Sequence, residues 1–470
     1  MPTRVLLISL NRCTVPDPVF PLGLTCLNAA LRAAGHETAW HDRLIDGDDL
    51  ETAINSFQPA VVGLSLRNID NVLIRKPEVF FEDLAAIVGR IRATRAVRVV
   101  LGGSGFSVFP RLLLERSGAD VGVVGEGEAA LLALLQAWEE GREPAGIPGL
   151  VQRRDGGVVL HPAQPVRHAW PVTAADRPAR LVGAYLQRAA MLNVQTQRGC
   201  AHTCCYCTYP LLEGAANRRR PAEDVAEDFA QLEAHGARYA FVVDSVFNST
   251  RDHVAAICEA LIRRRLTLRW GCFLRPQGLD RELMTLMQRA GLAHVEFGTD
   301  SFCDRVLHDY GKRFTFDDVR QAHDAARAAG VDACHFLICG GPGETEATLA
   351  ETFNHSTQLA GAIIMAVVGM RIYPGTPLER RARREGLLAP DADLLAPSYY
   401  IAPGLTTDGV FATLRTFTAR APGWIAGDPA PEYERLVERL RRRGVAGPLW
   451  SYFALLQRIQ PAPAAAPVPA

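Results

Sequence analysis

Cysteine occurs 11 times in the 470 residues, and four of those lie in one short stretch, RGCAHTCCYCTYP, from Arg198 to Pro210. Cys200, Cys204 and Cys207 follow the spacing C-x3-C-x2-C. Three thiolates so close in sequence can share one metal centre. A structural zinc site normally closes its tetrahedron with four protein ligands. His202 could complete such a site, whereas Cys205 adjoins Cys204 and should point elsewhere. A four-iron four-sulfur cluster held by only three cysteines leaves one iron open to a further ligand, which suits catalysis. The spacing favours the cluster, with zinc and a chance grouping of thiols as the alternatives.

Composition narrows the setting of this loop. Lys plus Arg and Asp plus Glu both number 51, so the formal net charge is zero. That removes the broad electrostatic case for nucleic-acid or membrane-surface binding. Arginine runs such as 218–220 and 263–265 read as solvated helix ends, where cations meet the C-terminal dipole. Val5 to Leu10 follows Met1-Pro2-Thr3-Arg4 and reads as a strand, not a secretory leader. No apolar run reaches the length of about 18 that marks a membrane span. Mostly scattered, odd-numbered cysteines fit free thiols in a reducing cytoplasm.

The elements that must position the loop alternate between short apolar strands and amphipathic helices. Strands are expected at 4–10, 60–66 and 97–103 and at the start of 119–141, with helices at 23–37 and 80–93. This rhythm implies a parallel sheet covered on both faces over 1–142. Residues 143–190 read as a linker containing a hairpin (149–162) that turns at Asp155-Gly156-Gly157. The alternation resumes over 191–390, with strands expected at 239–243, 269–274, 293–297, 333–338 and 363–372. Residues 391–460 read as a small, mostly helical region, with helices at 430–445 and 449–459. The tail PAPAAAPVPA (461–470) reads as disordered.

C-x3-C-x2-C with Tyr206 before the last cysteine, and Arg198-Gly199 before the first, resembles the signature of the radical S-adenosylmethionine (radical SAM) superfamily. The resemblance implies a partial (β/α)6 TIM-like barrel over 191–390, in which Cys200, Cys204 and Cys207 ligate a catalytic [4Fe-4S] cluster. It further implies that S-adenosylmethionine chelates the open iron and is cleaved reductively to a 5′-deoxyadenosyl radical. Downstream, VEFGTDS (295–301) resembles the family's Gly-x-Glu-Ser strand end, with Asp300 in place of glutamate. FLICGGPGET (336–345) resembles the glycine-rich strand end beside the adenosine, which implies contacts at Gly340 and Gly341. RIYPGTPL (371–378) resembles the segment near the last strands. Tyr206 and Asp244 are further cofactor-side candidates, Asp244 because FVVDSVF (241–247) puts it at the C-terminal end of a strand, where barrel active sites lie.

LGGSGFSVFP (101–110) and VVGEGE (123–128) each follow a strand, and the pair resembles the cobalamin-binding domain of cobalamin-dependent radical SAM enzymes. The fold class implied is α/β: a doubly wound, Rossmann-like cobalamin-binding domain followed by the radical SAM barrel. Ser65, Gly102, Gly103, Glu126 and Gly127 are the implied cobalamin contacts. The loop NRCTVPDPVFP (11–21) lacks the Asp-x-His-x-x-Gly that puts histidine on cobalt, so cobalamin is expected without one, and His41 is taken as incidental. Arg67, Asn68 and Asp70 of SLRNIDN (65–71) are expected at a cavity shared by the two domains. The resemblance implies methylation of an unactivated carbon in a lipid or natural-product substrate. It also implies a low-potential electron donor such as flavodoxin or ferredoxin. Cyclisation, rearrangement or oxidation is the alternative, and a non-catalytic cobalamin or iron–sulfur sensor a more distant one. A methylthiotransferase is disfavoured, since only Cys13 and Cys26 precede Cys200.

Overall fold

The computed structural model describes residues 2–14, 17–164, 176–421, 423–426, 431–450 and 452. The tail expected at 461–470, most of the helix expected at 449–459, and residues 165–175 of the linker lie outside the described residues.

The first sheet has seven strands. They are β1 (Arg4–Ser9), β2 (Glu37–Asp42), β3 (Val61–Ser65), β4 (Arg98–Gly102), β5 (Val121–Val123), β6 (Leu150–Arg154) and β7 (Gly157–Leu160). Their order is β2-β1-β3-β4-β5-β6-β7. The pairings from β2 through β5 are parallel, while β5–β6 and β6–β7 are antiparallel. The hairpin assigned to the linker is therefore the edge of this sheet. Side chains alternate across a strand, and β1 shows the consequence. Val5 and Leu7 enter one core with Leu24, Leu31 and Leu134, while Leu6 and Ile8 enter another with Leu50, Ile54 and Ile87. Strand order reverses between β1 and β3, which opens a crevice beyond their C-terminal ends.

The second sheet is singly wound. Its strands are β8 (Leu192–Val194), then, after the two-stranded ribbon β9 (Gln197–Arg198) and β10 (Arg218–Arg219), β11 (Tyr239–Val242), β12 (Arg269–Leu274), β13 (Leu292–Asp300), β14 (Asp332–Cys339) and β15 (Ile363–Val368). A second ribbon pairs β16 (Met370–Arg371) with β17 (Tyr399–Tyr400), and β18 (Trp424–Ala426) completes the sheet. The order β8-β11-β12-β13-β14-β15-β18 follows the chain, all pairs are parallel, and the two end strands do not meet. This is an open, partial barrel. The region after 390, expected to be mostly helical, supplies the seventh strand, because Trp424 is buried against Phe353 and Phe417.

The two units share a core. The cluster containing Leu6, Val62 and Leu84 runs on through Val306, Tyr310, Met370 and Leu378 of the second unit. Buried polar ties reinforce it: Arg371 Nε donates to Asp70 at 2.9 Å, and the Tyr185 hydroxyl donates to Asp42 at 3.0 Å.

Candidate active site

The C-terminal strand ends of both sheets open onto one cavity of about 580 Å³. From the first unit it is lined by Asn11, Ser65, Arg67, Gly102, Gly103 and residues 125–128; from the second by Asn193, Gln195, Arg198, Tyr209 and Glu213. Doubly wound sheets and barrels both place ligands at this end of their strands.

The cysteine loop adjoins the cavity, which Thr208 and Tyr209 line directly behind Cys207. Its entry requires glycine: Gly199 has φ +85°, and a Cβ there would collide with the Ala216 carbonyl oxygen. Gly199 N–H donates to Glu213 at 3.0 Å and Cys200 N–H to the Gly214 carbonyl at 3.0 Å. Cys205 turns away from its neighbours. Its Sγ lies 3.9 Å from Met370 Sδ, its N–H donates to the Tyr310 carbonyl at 2.9 Å, and its carbonyl accepts from Leu378 N–H at 2.8 Å. His202 Nδ1 is engaged by the Arg275 guanidinium, and burial followed by that charge pushes the ring down to about 4. Burial raises the Cys204 thiol and pushes Cys207 up to about 12. Among the described residues no three His, Cys, Asp or Glu side chains stand gathered as a metal cage.

Several strand-end residues singled out by the sequence are engaged with protein partners. Tyr206 O–H donates to Asp300 Oδ2 at 2.6 Å, and Lys312 Nζ pairs with the same oxygen at 2.6 Å. Neither Tyr206 nor Asp300 lines the cavity. Asp244 is fully buried below the loop and accepts from Thr196 N–H (2.7 Å), the Thr196 hydroxyl and Gln197 N–H (3.3 Å), with burial pushing its carboxyl up to about 7. It positions the segment that leads into Cys200. At the end of β14 the Gly340 N–H donates to Glu344, and Gly341 N–H donates to the Tyr310 hydroxyl at 3.1 Å. Gly341 is required there because a Cβ would strike the Tyr310 ring.

On the first unit, Gly103 has φ +97°, and a Cβ would stand 2.5 Å from the Leu66 carbonyl oxygen. Gly102 has room for one, its nearest neighbour being the Val123 carbonyl oxygen at 3.5 Å. The Glu126 carboxylate is held by Arg198 at 3.1 Å and by Arg218. Arg198 also reaches Glu128 at 2.7 Å and donates to Cys26 Sγ at 3.1 Å. Asp70 lines the shared cavity as expected, and its carboxylate is at the same time the buried partner of Arg371. His41 bonds the Gly47 carbonyl at 2.9 Å and does not line the cavity.

Comparison with known families matches each unit separately. Residues 8–135 match the B12 binding domain and residues 194–355 the radical SAM superfamily. The chain belongs to the cobalamin-dependent radical SAM superfamily. It is 26% identical over 432 residues to tryptophan 2-C-methyltransferase of Streptomyces laurentii, covering 78% of this chain and 72% of that protein. It is 24% identical over 470 residues to cytidylyl-2-hydroxyethylphosphonate methyltransferase of Streptomyces wedmorensis, covering 84% of each. Among solved structures, the radical SAM methyltransferase TsrM of Kitasatospora setae, with cobalamin and a [4Fe-4S] cluster bound, superposes with a TM-score of 0.87 at 26% identity. The match covers 98% of both chains.

The site of this cobalamin-dependent radical SAM protein fits the family's cofactors. The donor set offers three cysteines, with Cys205 turned into the core and His202 Nδ1 engaged by Arg275, which suits a cluster with one open iron. On the first unit, Asn11 is 4% exposed and lines the cavity, and its Nδ2 has no partner among the described residues. A buried donor without an acceptor costs about 1–3 kcal/mol, and the amide carbonyls at a corrin's edge are suitable acceptors. Sequence reasoning missed Asn11, Glu128, the pairing of Glu126 with Arg198, and the segment 310–312 that braces the cysteine loop. The only signal for the last was the Tyr-Gly-Lys after a short helix. Among the described residues no helix is long and apolar enough to cross a membrane.

Proposed function

We propose that this chain is a cobalamin-dependent C-methyltransferase acting on a small natural-product or lipid-type substrate, with Cys200, Cys204 and Cys207 holding the cluster. The observation that carries this reading is the single cavity onto which both units open their C-terminal strand ends. When bound, the cluster with S-adenosylmethionine supplies one-electron reductive cleavage, and cobalamin supplies a transferable methyl group. The protein's own contribution is placement. Gly199 and Asp244 set the path of the cysteine loop, and Gly102 lets backbone approach a ligand from the first unit. Arg198, fixed by Glu126 and Glu128, holds the two units in register beside the cavity.

Gly340 and Gly341 lie on the barrel side, where they suit the adenosine end of S-adenosylmethionine, and Ser65 and Gly127 suit the corrin edge. The low-potential electron donor is of the flavodoxin or ferredoxin class. Cys26, Cys258, Cys272, Cys303, Cys334 and Cys339 are buried without a disulfide, which suits the cytoplasm. The similarity to enzymes named as methyltransferases supports methylation over cyclisation.

The test supplies reductant, candidate substrate and S-adenosylmethionine with a labelled methyl group. Substrate-dependent S-adenosylhomocysteine with label in the product is the expected result. Substrate-dependent 5′-deoxyadenosine with no label transferred would reject methylation in favour of cyclisation or rearrangement.

A further inference from the structure

The cysteine loop rests on a short segment of the second unit, and that segment delivers a buried charge. The carbonyl of Tyr310 accepts from Cys205 N–H at 2.9 Å. Gly311 follows with φ +76°, and a Cβ on it would lie 2.6 Å from the Thr203 carbonyl oxygen and 3.6 Å from Cys204 Cα. Two consecutive residues are therefore pressed against the loop backbone, and the third is Lys312. Its side chain is 8% exposed. The ammonium pairs with Asp300 Oδ2 at 2.6 Å, donates to the Gly298 carbonyl at 3.1 Å, and stands 5.7 Å from the centre of the Tyr206 ring. Tyr206 O–H closes the arrangement on the same Asp300 oxygen, one residue before Cys207.

We propose that Lys312, held by Asp300 and Tyr206, sets the reduction potential of the cluster on the 200–207 loop. This rests on the cysteine assignment of the proposed function. Lys312 is a positioning residue that supplies charge and touches no substrate. Cluster potentials respond to net charge and hydrogen bonding around the sulfurs, and reduction adds one negative charge to the cluster. A cation in a poorly solvated position nearby stabilises the reduced form and raises the potential; an anion does the reverse. Here the two are paired, so removing either one unmasks the other. Burial disfavours the Lys312 ammonium, and the Asp300 carboxylate paired with it at 2.6 Å favours the charged form. The charge is therefore present at neutral pH.

The experiment is an anaerobic redox titration of the reconstituted full-length protein, followed by the electron paramagnetic resonance of the reduced cluster, with iron counted in every sample. Lys312→Met should shift the midpoint to more negative values. Asp300→Asn should shift it to more positive values, and Lys312→Arg should restore it to near wild type. A role in folding alone would not move two neighbouring substitutions in opposite directions. If Lys312→Met takes up no iron, Lys312→Gln removes the charge while keeping a donor for Gly298. Cluster-loaded variants whose midpoints coincide with wild type, or shift in the same direction, overturn the inference. A wild-type chain that binds no iron overturns the cysteine assignment itself, and the iron count reads that separately.

Discussion

Tyr206 and Asp300, 94 residues apart in the chain, are joined by a 2.6 Å hydrogen bond from the phenol to the carboxylate. The bond ties the aromatic position of the cysteine loop to the C-terminal end of β13. Burial first, and the Asp300 charge second, hold the phenol well above its ordinary range. A hydrogen bond to a charged group contributes about 1.5–3 kcal/mol. Tyr206→Phe should therefore destabilise the apo-protein by that amount in chemical denaturation, without removing any thiol. An unchanged unfolding midpoint would show that the bond does not brace the loop.

The cysteines should separate into ligands and packing. Anaerobic reconstitution is expected to give about four irons per chain, the content of one [4Fe-4S] cluster. Cys200→Ala, Cys204→Ala and Cys207→Ala should each abolish that uptake. Cys205→Ala should spare it, because its Sγ faces Met370 and its backbone, not its thiol, anchors the loop. Equal iron loss in the Cys205 variant would overturn the assignment.

Gly102 and Gly103 should fail for different reasons. Gly103→Ala forces a left-handed backbone and a clash with the Leu66 carbonyl, so it should lower stability and soluble yield. Gly102→Ala meets nothing closer than 3.5 Å within the protein, yet lines the cavity, so it should fold normally and bind cobalamin more weakly. Absorbance titration with cobalamin, alongside circular dichroism of each variant, measures both effects. Wild-type cobalamin affinity in folded Gly102→Ala would show that the corrin lies elsewhere.

Stability should carry a pH dependence through Glu296. Burial pushes its carboxyl up to about 7, against the opposing hydrogen bond from Trp450 Nε1 at 3.0 Å. Its folded-state value lies above its unfolded one, so the folded chain holds the extra proton. The stability it lends is fully present below about 4.5 and is lost as pH rises through about 7. Glu296→Gln keeps an acceptor for the indole and removes the titration. It should be more stable than wild type at pH 8, by up to about 3 kcal/mol, with the gap closing below pH 4.5. Urea unfolding at the two pH values reads the difference, and a gap independent of pH would exclude Glu296 as its source.

The chemistry was legible in the sequence because it is local. Three thiols within eight residues, glycines behind strands and the alternation of apolar runs are set by neighbours a few positions apart. Backbone periodicity turns those patterns into strands and helices directly. Only the tertiary structure decided which partners the polar strand-end groups take. Asp244, Glu126 and Asp70 all stand near strand ends and read alike as site residues. The fold brings each a partner from far along the chain: Thr196 at 48 residues, Arg198 at 72 and Arg371 at 301. The seventh strand, β18, was equally hidden, because three residues carry no period and form a strand only where β15 offers its free edge. A buried carboxylate must find a donor or a cation. Which one it finds depends on how the two sheets are set against each other, and no short window of sequence contains that relation.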